Sequence, residues 1–225
     1  MNECGARLAE AGLKIHAMKL NTEQPFQWAS GFFMPIYNDN RMFLFYPEFR
    51  KLILNGFLEL IKSNNISIDV IAGTSTAGIP HGALLADALK LPFIYIREKP
   101  KAHGLKNQIE GIDADKDLGE KKVLVIEDLI STGGSSAKAV QAVRNANGVV
   151  DYCLSIFSYN LLTALNEFSK LEKPCKVMSI LDYDTLIDTA IKMRYVTTDE
   201  QEALKGWRHE PFEWGEKRGF PRIVK

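Results

Sequence analysis

The stretch Val123-Leu-Val-Ile-Glu-Asp-Leu-Ile-Ser-Thr-Gly-Gly-Ser-Ser136 is the most informative part of this chain about its fold and its site. Its first four residues are all apolar, as expected of a strand that is buried on both faces of a sheet. Two adjacent carboxylates, Glu127 and Asp128, follow, and a loop of small residues at 131–135 then leads into a predicted helix. The free N–H groups of such a loop, with the positive end of the helix dipole, form a cradle for an anion.

The order of these groups matches one ligand, a ribose that carries a terminal phosphate. Carboxylates just before a phosphate cradle suit the hydroxyls of a sugar, or a metal beside them. The alternative is a Walker B strand, which requires a Gly-x-x-x-x-Gly-Lys-Ser/Thr loop elsewhere in the chain. Gly73 and Gly78 have that spacing, but Ile79 and Pro80 stand where the Lys and the Ser/Thr belong. The sequence contains no Gly-x-Gly-x-x-Gly either, so a dinucleotide site is not indicated.

Around this stretch the chain alternates between apolar strands and amphipathic helices. Strands are predicted at 68–72, 92–96, 123–126, 149–157 and 175–181, and helices at 4–20, 47–61, 79–89, 135–147 and 161–171. The aromatic segment 26–37, which contains Gly31 and Pro35, predicts a short hairpin or irregular strands. The order predicts an α/β fold whose mostly parallel central sheet is flanked by helices. Ligands of such sheets bind at the carboxyl ends of the strands, where the loops 73–78, 97–119 and 127–135 begin.

The composition is that of an ordinary globular chain and argues against several classes of protein. The 225 residues include 28 Lys+Arg and 28 Asp+Glu, so the formal net charge is zero. Proteins that bind nucleic acid or anionic membranes usually show a basic excess, and we expect neither partner here. No apolar run approaches the ~20 residues of a membrane span, and the N-terminus does not resemble a signal peptide. The three cysteines form no Cys-x-x-Cys pair, which favours a cytoplasmic protein with reduced thiols.

Four stretches resemble motifs of one enzyme family. Ile126-Glu-Asp-Leu-Ile-Ser-Thr-Gly-Gly-Ser135 resembles the phosphoribosyl pyrophosphate signature of type I phosphoribosyltransferases. Tyr95-Ile-Arg-Glu-Lys-Pro-Lys-Ala-His-Gly104, followed by Asn107-Gln-Ile-Glu-Gly111, resembles the flexible catalytic loop of the orotate phosphoribosyltransferases. The loop carries cationic groups at alternate positions, on Arg97, Lys99, Lys101 and His103. If the loop is extended, all four point to one side, although a run of charges is also typical of a solvated surface. Trp28-Ala-Ser-Gly31, with the segment 35–41, resembles the family's N-terminal hood, and 73–81 resembles its pyrophosphate loop.

The resemblance implies a type I phosphoribosyltransferase fold in a single domain, 1–225, with a small N-terminal hood subdomain. The hood is expected at about 1–45, the core at about 46–206 and a C-terminal tail at 207–225. The implied reaction transfers ribose 5-phosphate from phosphoribosyl pyrophosphate to orotate, giving orotidine monophosphate and pyrophosphate in pyrimidine biosynthesis. The implied cofactor is Mg²⁺, and the implied assembly is a homodimer in which the catalytic loop reaches the partner's site.

Two alternatives stay open at this point. The first is a purine phosphoribosyltransferase, against which the loop 99–104 argues. The second is a non-catalytic regulator that senses phosphoribosyl pyrophosphate and binds nucleic acid. Such a regulator should show a basic face or a helix-turn-helix, and the zero net charge and single N-terminal helix argue against it.

The family motifs also assign roles to residues of this chain. Lys101, His103 and Asp128 are the expected catalytic residues, and Ser131 is expected to contact orotate. Magnesium is expected to bind mainly through the substrate, near Glu127 and Asp128, without direct protein ligands. Contacts with phosphoribosyl pyrophosphate are expected from Thr76, Ala77, Arg97, Lys99, Lys101, His103, Glu127, Asp128, Leu129, Ile130, Ser131, Thr132, Gly133, Gly134 and Ser135.

The sequence departs from the family's pattern in two regions. In the hood, Ala29 stands where many members have a lysine, and Phe33-Met34 stand where closer relatives have Lys-Ser. In the pyrophosphate loop, Thr76-Ala77 stand where some members have Tyr-Lys. Cationic contacts are therefore missing or replaced, while the sugar-phosphate motif is intact.

Overall fold

The computed structural model describes residues 3–99, 108–113 and 116–224 of the chain. These residues form two compact units. One unit spans Arg50–Ile180, and the other combines the segments on either side of it. The predicted loop residues Lys101 and His103 lie outside the described ranges.

The N-terminal segment begins with helix α1 (Glu3–Lys14) and continues with four short strands. These are β1 (Met18–Leu20), β2 (Phe26–Gln27), β3 (Phe33–Met34) and β4 (Ile36–Asn38), with a 3₁₀ turn at Asn40–Phe45. β1 pairs with β4 and β2 with β3, both antiparallel. The hairpin that the sequence predicts within 26–37 is therefore present.

The predicted helix at 4–20 is wrong in its last third. α1 ends at Lys14, and His16 adopts a left-handed backbone conformation with φ 58°. Met18 and Leu20 are buried on one face of β1, whereas Lys19 between them is exposed. Apolar residues at 18 and 20 fit the two-residue period of a strand, and pairing with β4 decides in its favour.

The unit Arg50–Ile180 is an α/β structure. Its elements are α2 (Pro47–Ser63), β5 (Val70–Thr74), α3 (Gly78–Leu89), β6 (Phe93–Ile96), β7 (Ile109–Glu110), β8 (Val123–Ile130), α4 (Gly134–Asn145), β9 (Tyr152–Ser158), α5 (Leu162–Ser169) and β10 (Lys176–Asp182), with both end elements extending slightly beyond it. The six strands form one sheet in the order β10-β9-β8-β5-β6-β7. β5 is parallel to β6 and β8, and β8 to β9, whereas β7 is antiparallel to β6. The predicted mostly parallel sheet with flanking helices is confirmed.

Strand β8 is four residues longer than predicted. It continues past Ile126 because Glu127 and Leu129 pair with Ser155 and Phe157 of β9. The two carboxylates therefore lie within the strand and not in the loop after it. Adjacent strand residues point to opposite faces, which accounts for the burial of Glu127 next to the partly exposed Asp128.

The core of this unit lies between the sheet and its helices. Buried apolar side chains of the sheet meet those of α4 and α5, among them Val70, Ala72, Ile94, Val123, Val125, Val140, Val143 and Phe168. This packing holds the carboxyl ends of β5, β6 and β8 side by side. Across the described ranges, no helix is both long enough and apolar enough to span a bilayer.

The C-terminal segment, which sequence patterns did not place, belongs to the same unit as the N-terminal one. It contains α6 (Tyr183–Lys192), α7 (Thr198–His209) and a 3₁₀ turn at Glu216–Arg218. Trp207 is fully buried and stacks edge-on against Trp28 at 6.2 Å between ring centroids. The guanidinium of Arg222 lies 4.3 Å from the centroid of the Phe32 ring. The predicted division of the chain into hood, core and tail stays a prediction.

Candidate active site

A cavity of about 720 Å³ opens at the carboxyl ends of β5, β6 and β8. This is the edge of the sheet at which the strand order predicts a ligand. Its lining comprises Thr74, Ser75, Ile96, Arg97, Glu98, Lys99, Gln108, Glu127, Asp128, Leu129, Ser131, Thr132, Gly133, Gly134, Ser135, Lys138 and Ala139. The structure thus brings most of the predicted site residues into one cavity.

Some predicted residues are placed elsewhere. Ile130 is buried in the core cluster, and its side chain does not line the cavity. Thr76 and Ala77 lie between β5 and α3, also outside the lining. Lys101 and His103 belong to the segment that the structure does not describe, so their predicted roles stay predictions.

Glu127 is the most constrained side chain of the site. Its Oε1 accepts hydrogen bonds from the Thr74 hydroxyl at 2.6 Å and from the Asp128 N–H at 3.0 Å, and its Oε2 accepts one from the Ser136 hydroxyl at 3.1 Å. Burial raises the pKa of Glu127 from 4.5 to about 7. The nearby Asp128 carboxylate adds to the rise, and the hydrogen bond from Thr74 opposes it.

The loop after β8 has the form of an anion cradle. Gly133 has φ +82° and caps the N-terminus of α4, and its carbonyl accepts the first helical hydrogen bond, from Ala137 N–H, at 2.9 Å. The N–H groups of a first helical turn have no preceding carbonyl to donate to, and the helix dipole favours negative charge there. The hydroxyl-bearing residues Ser131, Thr132 and Ser135 line the same cavity. A phosphate group fits this set of donors.

Cationic side chains line the cavity on the side of β6. Arg97 forms an ion pair with Glu110 of β7, 3.2 Å from Nη1 to Oε1. Its backbone N–H donates to the Gln108 carbonyl at 2.8 Å, which joins the two ends of the segment that contains the predicted loop. The Glu98 N–H donates to the Ser75 hydroxyl at 3.1 Å, linking this segment to the end of β5.

Sequence reasoning missed several lining residues. Lys138 adds a third cation from α4, four residues after Gly134 and hence on the same helix face. Its spacing from Gly134 is enough to predict that Lys138 faces the cradle. Thr74, Ser75 and Gln108 lie in the loops 73–78 and 97–119, which were predicted to face the ligand, but no motif named them as contacts.

The raised pKa of Glu127 predicts a change in stability with a defined pH dependence. Because the pKa is higher in the folded chain, the contribution of Glu127 to stability is fully present below pH 4.5 and is lost as the pH rises through 7. Glu127→Gln removes the buried charge, so we expect the melting temperature at pH 8 to rise by roughly 5 °C. At pH 4.5 the gain should be close to zero. Glu59→Gln, on the exposed face of α2, is the control. An equal gain at both pH values would show that ionisation of Glu127 is not the cause.

Comparison with known proteins completes the description of the site. The model of the phosphoribosyl transferase domain family matches residues 47–191. The chain is 48% identical over 202 residues to the orotate phosphoribosyltransferase of Lactococcus lactis subsp. cremoris, covering 90% of this chain and 94% of that protein. It is 42% identical over 214 residues to that of Coxiella burnetii, covering 95% and 99%. The crystal structure of orotate phosphoribosyltransferase from Aeropyrum pernix superposes with a TM-score of 0.69 at 25% identity, over 84% of this chain and 99% of that one.

Proposed function

The chain belongs to the orotate phosphoribosyltransferases of the phosphoribosyl transferase domain family, and from this premise we propose how its cavity performs the reaction. The enzyme transfers ribose 5-phosphate from phosphoribosyl pyrophosphate to orotate, a step of pyrimidine biosynthesis. Identities of 42–48% over most of the chain favour this activity over a purine phosphoribosyltransferase or a non-catalytic regulator.

One observation carries the proposed assignment of groups: a single cavity combines an acidic pair, an anion cradle and several cations. The cradle at 131–135 binds the 5-phosphate of the substrate. Glu127 and Asp128 accept hydrogen bonds from the ribose hydroxyls, since they directly precede the cradle in the chain. Arg97 and Lys99 lie on the β6 side, where they bind the pyrophosphate together with Lys101 and His103.

The chemistry at the anomeric carbon needs positioning and charge more than a base. As pyrophosphate leaves, this carbon becomes oxocarbenium-like, and the orotate nitrogen adds to it. That nitrogen is already acidic in orotate, so no strong general base is required. Holding both reactants in line supplies much of the acceleration. The Asp128 carboxylate stabilises the developing positive charge, the cations stabilise the leaving group, and Ser131 contacts orotate.

Magnesium is the proposed cofactor, and the donor set of the cavity fits it. Mg²⁺ usually binds one or two carboxylates together with substrate phosphates. The described residues contain no group of three or more His, Cys, Asp or Glu that could hold a metal. Asp128 lines the cavity and is the more exposed of the two carboxylates, so it is the one suited to face an ion held mainly by the substrate. When bound, the ion neutralises charge on the pyrophosphate.

We further propose a cytoplasmic homodimer in which Lys101 and His103 act in the partner's site. Cys4, Cys153 and Cys175 form no disulfide, which supports a reducing compartment. For the dimer, the support is the family resemblance of the loop that contains Lys101 and His103.

Substrate choice and metal dependence are tested together in one assay. The enzyme is mixed with magnesium, phosphoribosyl pyrophosphate and one nucleobase at a time, and the ultraviolet spectrum is followed. We expect orotate to be consumed faster than adenine, guanine, hypoxanthine or uracil, and we expect excess chelator to stop the reaction. Turnover of a purine in place of orotate would show that orotate is not the substrate. Full activity in excess chelator would show that the reaction does not need magnesium.

A further inference from the structure

The carboxylate of Glu127 is held by side chains from two other elements. Thr74 lies at the end of β5 and Ser136 in the first turn of α4, and both hydroxyls donate to Glu127 on β8. The two donors are nearly inaccessible, with 5% of Thr74 and 1% of Ser136 exposed. Neither residue belongs to the set that the motifs assign to the substrate.

The Thr74 hydroxyl has one hydrogen and two acceptors within reach. It lies 2.6 Å from Glu127 Oε1 and 3.2 Å from the carbonyl oxygen of Ile126. A charged acceptor at the shorter distance takes the hydrogen, because charge-assisted hydrogen bonds are the stronger ones. When Glu127 is ionised, the Thr74 hydroxyl therefore donates to Glu127 and not to the Ile126 carbonyl.

The close approach of α3 encloses this hydroxyl. A Cβ atom on Gly78 would lie 2.5 Å from the Thr74 hydroxyl and 2.4 Å from the Ile126 carbonyl oxygen, both far inside van der Waals contact. A glycine at the start of α3 therefore lets the helix press against the Thr74 side chain. The hydroxyl is thus held in place by backbone as well as by its hydrogen bond.

A carboxylate offers about four lone-pair sites to hydrogen-bond donors. Thr74, Ser136 and the Asp128 N–H occupy three of them on Glu127. Two of these donors reach Oε1 and one reaches Oε2, and Glu127 still lines the cavity with 8% of its surface exposed. A carboxylate that is held at both oxygens and lines the cavity is suited to accept a hydroxyl of the sugar.

We propose that Thr74 and Ser136 are positioning residues that fix the Glu127 carboxylate so that it accepts one ribose hydroxyl of phosphoribosyl pyrophosphate. The inference rests on the proposed function, in which Glu127 binds the ribose. Ser136 does not line the cavity, and Thr74 lines it but donates its hydroxyl to Glu127, so in this proposal both act through Glu127. Their effect should therefore appear in the kinetics for phosphoribosyl pyrophosphate and not in the KM for orotate.

The first test compares Thr74→Val with Thr74→Ser. Valine keeps the shape and removes the hydroxyl, so kcat/KM for phosphoribosyl pyrophosphate should fall about tenfold, while the KM for orotate stays within about twofold. Serine keeps the hydroxyl and should restore kcat/KM to within about threefold of the wild-type value. Thr189→Val is the matched control, because that hydroxyl is 3% exposed and donates to the Thr185 carbonyl within α6. Equal losses in the serine and valine variants would overturn the proposal.

A double-mutant cycle decides whether Thr74 acts through Glu127. If it does, Thr74→Val combined with Glu127→Gln should be no slower than Glu127→Gln alone, within about twofold. Losses that multiply would overturn the proposal.

If Glu127→Gln is impaired while Thr74→Val behaves like the Thr189→Val control, the positioning role is wrong and the proposed function stands. If Glu127→Gln is fully active, the proposed role of Glu127 is wrong and the inference falls with it. Should Thr74→Val fail to fold, Ser136→Ala replaces it in the same cycle, with the same outcomes.

Discussion

A chain with Asp128→Asn should lose about a hundredfold or more of its turnover at saturating substrates, because asparagine keeps the shape but not the charge that we propose stabilises the developing oxocarbenium ion. Asp128 lies at the carboxyl end of the central strand β8 and lines the cavity beside Glu127. Its side chain is partly exposed, so the substitution should leave the melting temperature nearly unchanged. Orotate consumption measures the loss. Unchanged turnover would assign Asp128 a structural role only.

The same variant tests the proposed dimer when it is mixed with Lys101→Ala. Lys101→Ala should lower turnover roughly ten- to a hundredfold, the effect of losing one charge-assisted hydrogen bond to the leaving pyrophosphate. If the loop acts across a dimer, a mixed dimer contains one site with both residues intact, and activity should return. An inactive mixture with proven subunit exchange would show that the loop acts within its own chain. Each variant mixed with itself is the control.

Gly133→Ala should also lower turnover about a hundredfold, through geometry and not charge, since a displacement of 1 Å in a site can cost that much. Gly133 has φ +82°, which side-chain-bearing residues adopt only with strain. A Cβ atom there would lie 2.8 Å from the Cα of Ala164 in α5, so either the cradle or the helix must move. We expect the cradle to move, because it is a loop, whereas α5 is held by its own helical hydrogen bonds.

Gly219→Ala separates the two effects of that substitution. Gly219 has nearly the same φ, +81°, but a Cβ atom there would meet nothing within 4 Å, and it lies outside the cavity. It should therefore share the strain of a left-handed alanine without the clash, and keep its turnover. The melting temperatures of both variants measure the cost of the backbone strain, and their kcat values measure the effect of displacing the cradle. Equal turnover in both variants would show that the cradle tolerates the displacement.

Much of the fold could be predicted because its signals are local. The apolar runs of β5, β6 and β8 and the periodic helices between them predict a parallel sheet without knowledge of any long-range contact. The predictions failed where two periods fit the same residues, as at Met18 and Leu20, and pairing with β4 decided between them. They also missed β7, because two residues are too few to show a pattern.

The candidate site divides in the same way. The acidic pair and the cradle occupy nine consecutive residues, 127–135, so their order along the chain predicts their arrangement in space. The position of Lys138 also follows from its helical spacing to the cradle. The contact of Thr74 with Glu127 could not be predicted, because it joins residues 53 positions apart.

The anion cradle, the acidic pair, the α/β class and the family could all be predicted from the sequence, since each depends on residues that are close together in the chain. In contrast, the hydroxyls that hold Glu127, the burial that raises its pKa and the packing of the C-terminal segment depend on contacts between distant segments. Trp207 donates from its indole N–H to the sulfur of Met34 across 173 residues of sequence, and no local pattern in either segment specifies that partner. The physical reason is that hydrogen bonding and hydrophobic spacing within a segment act over one or two turns, whereas burial and side-chain pairing exist only once the strands have packed together.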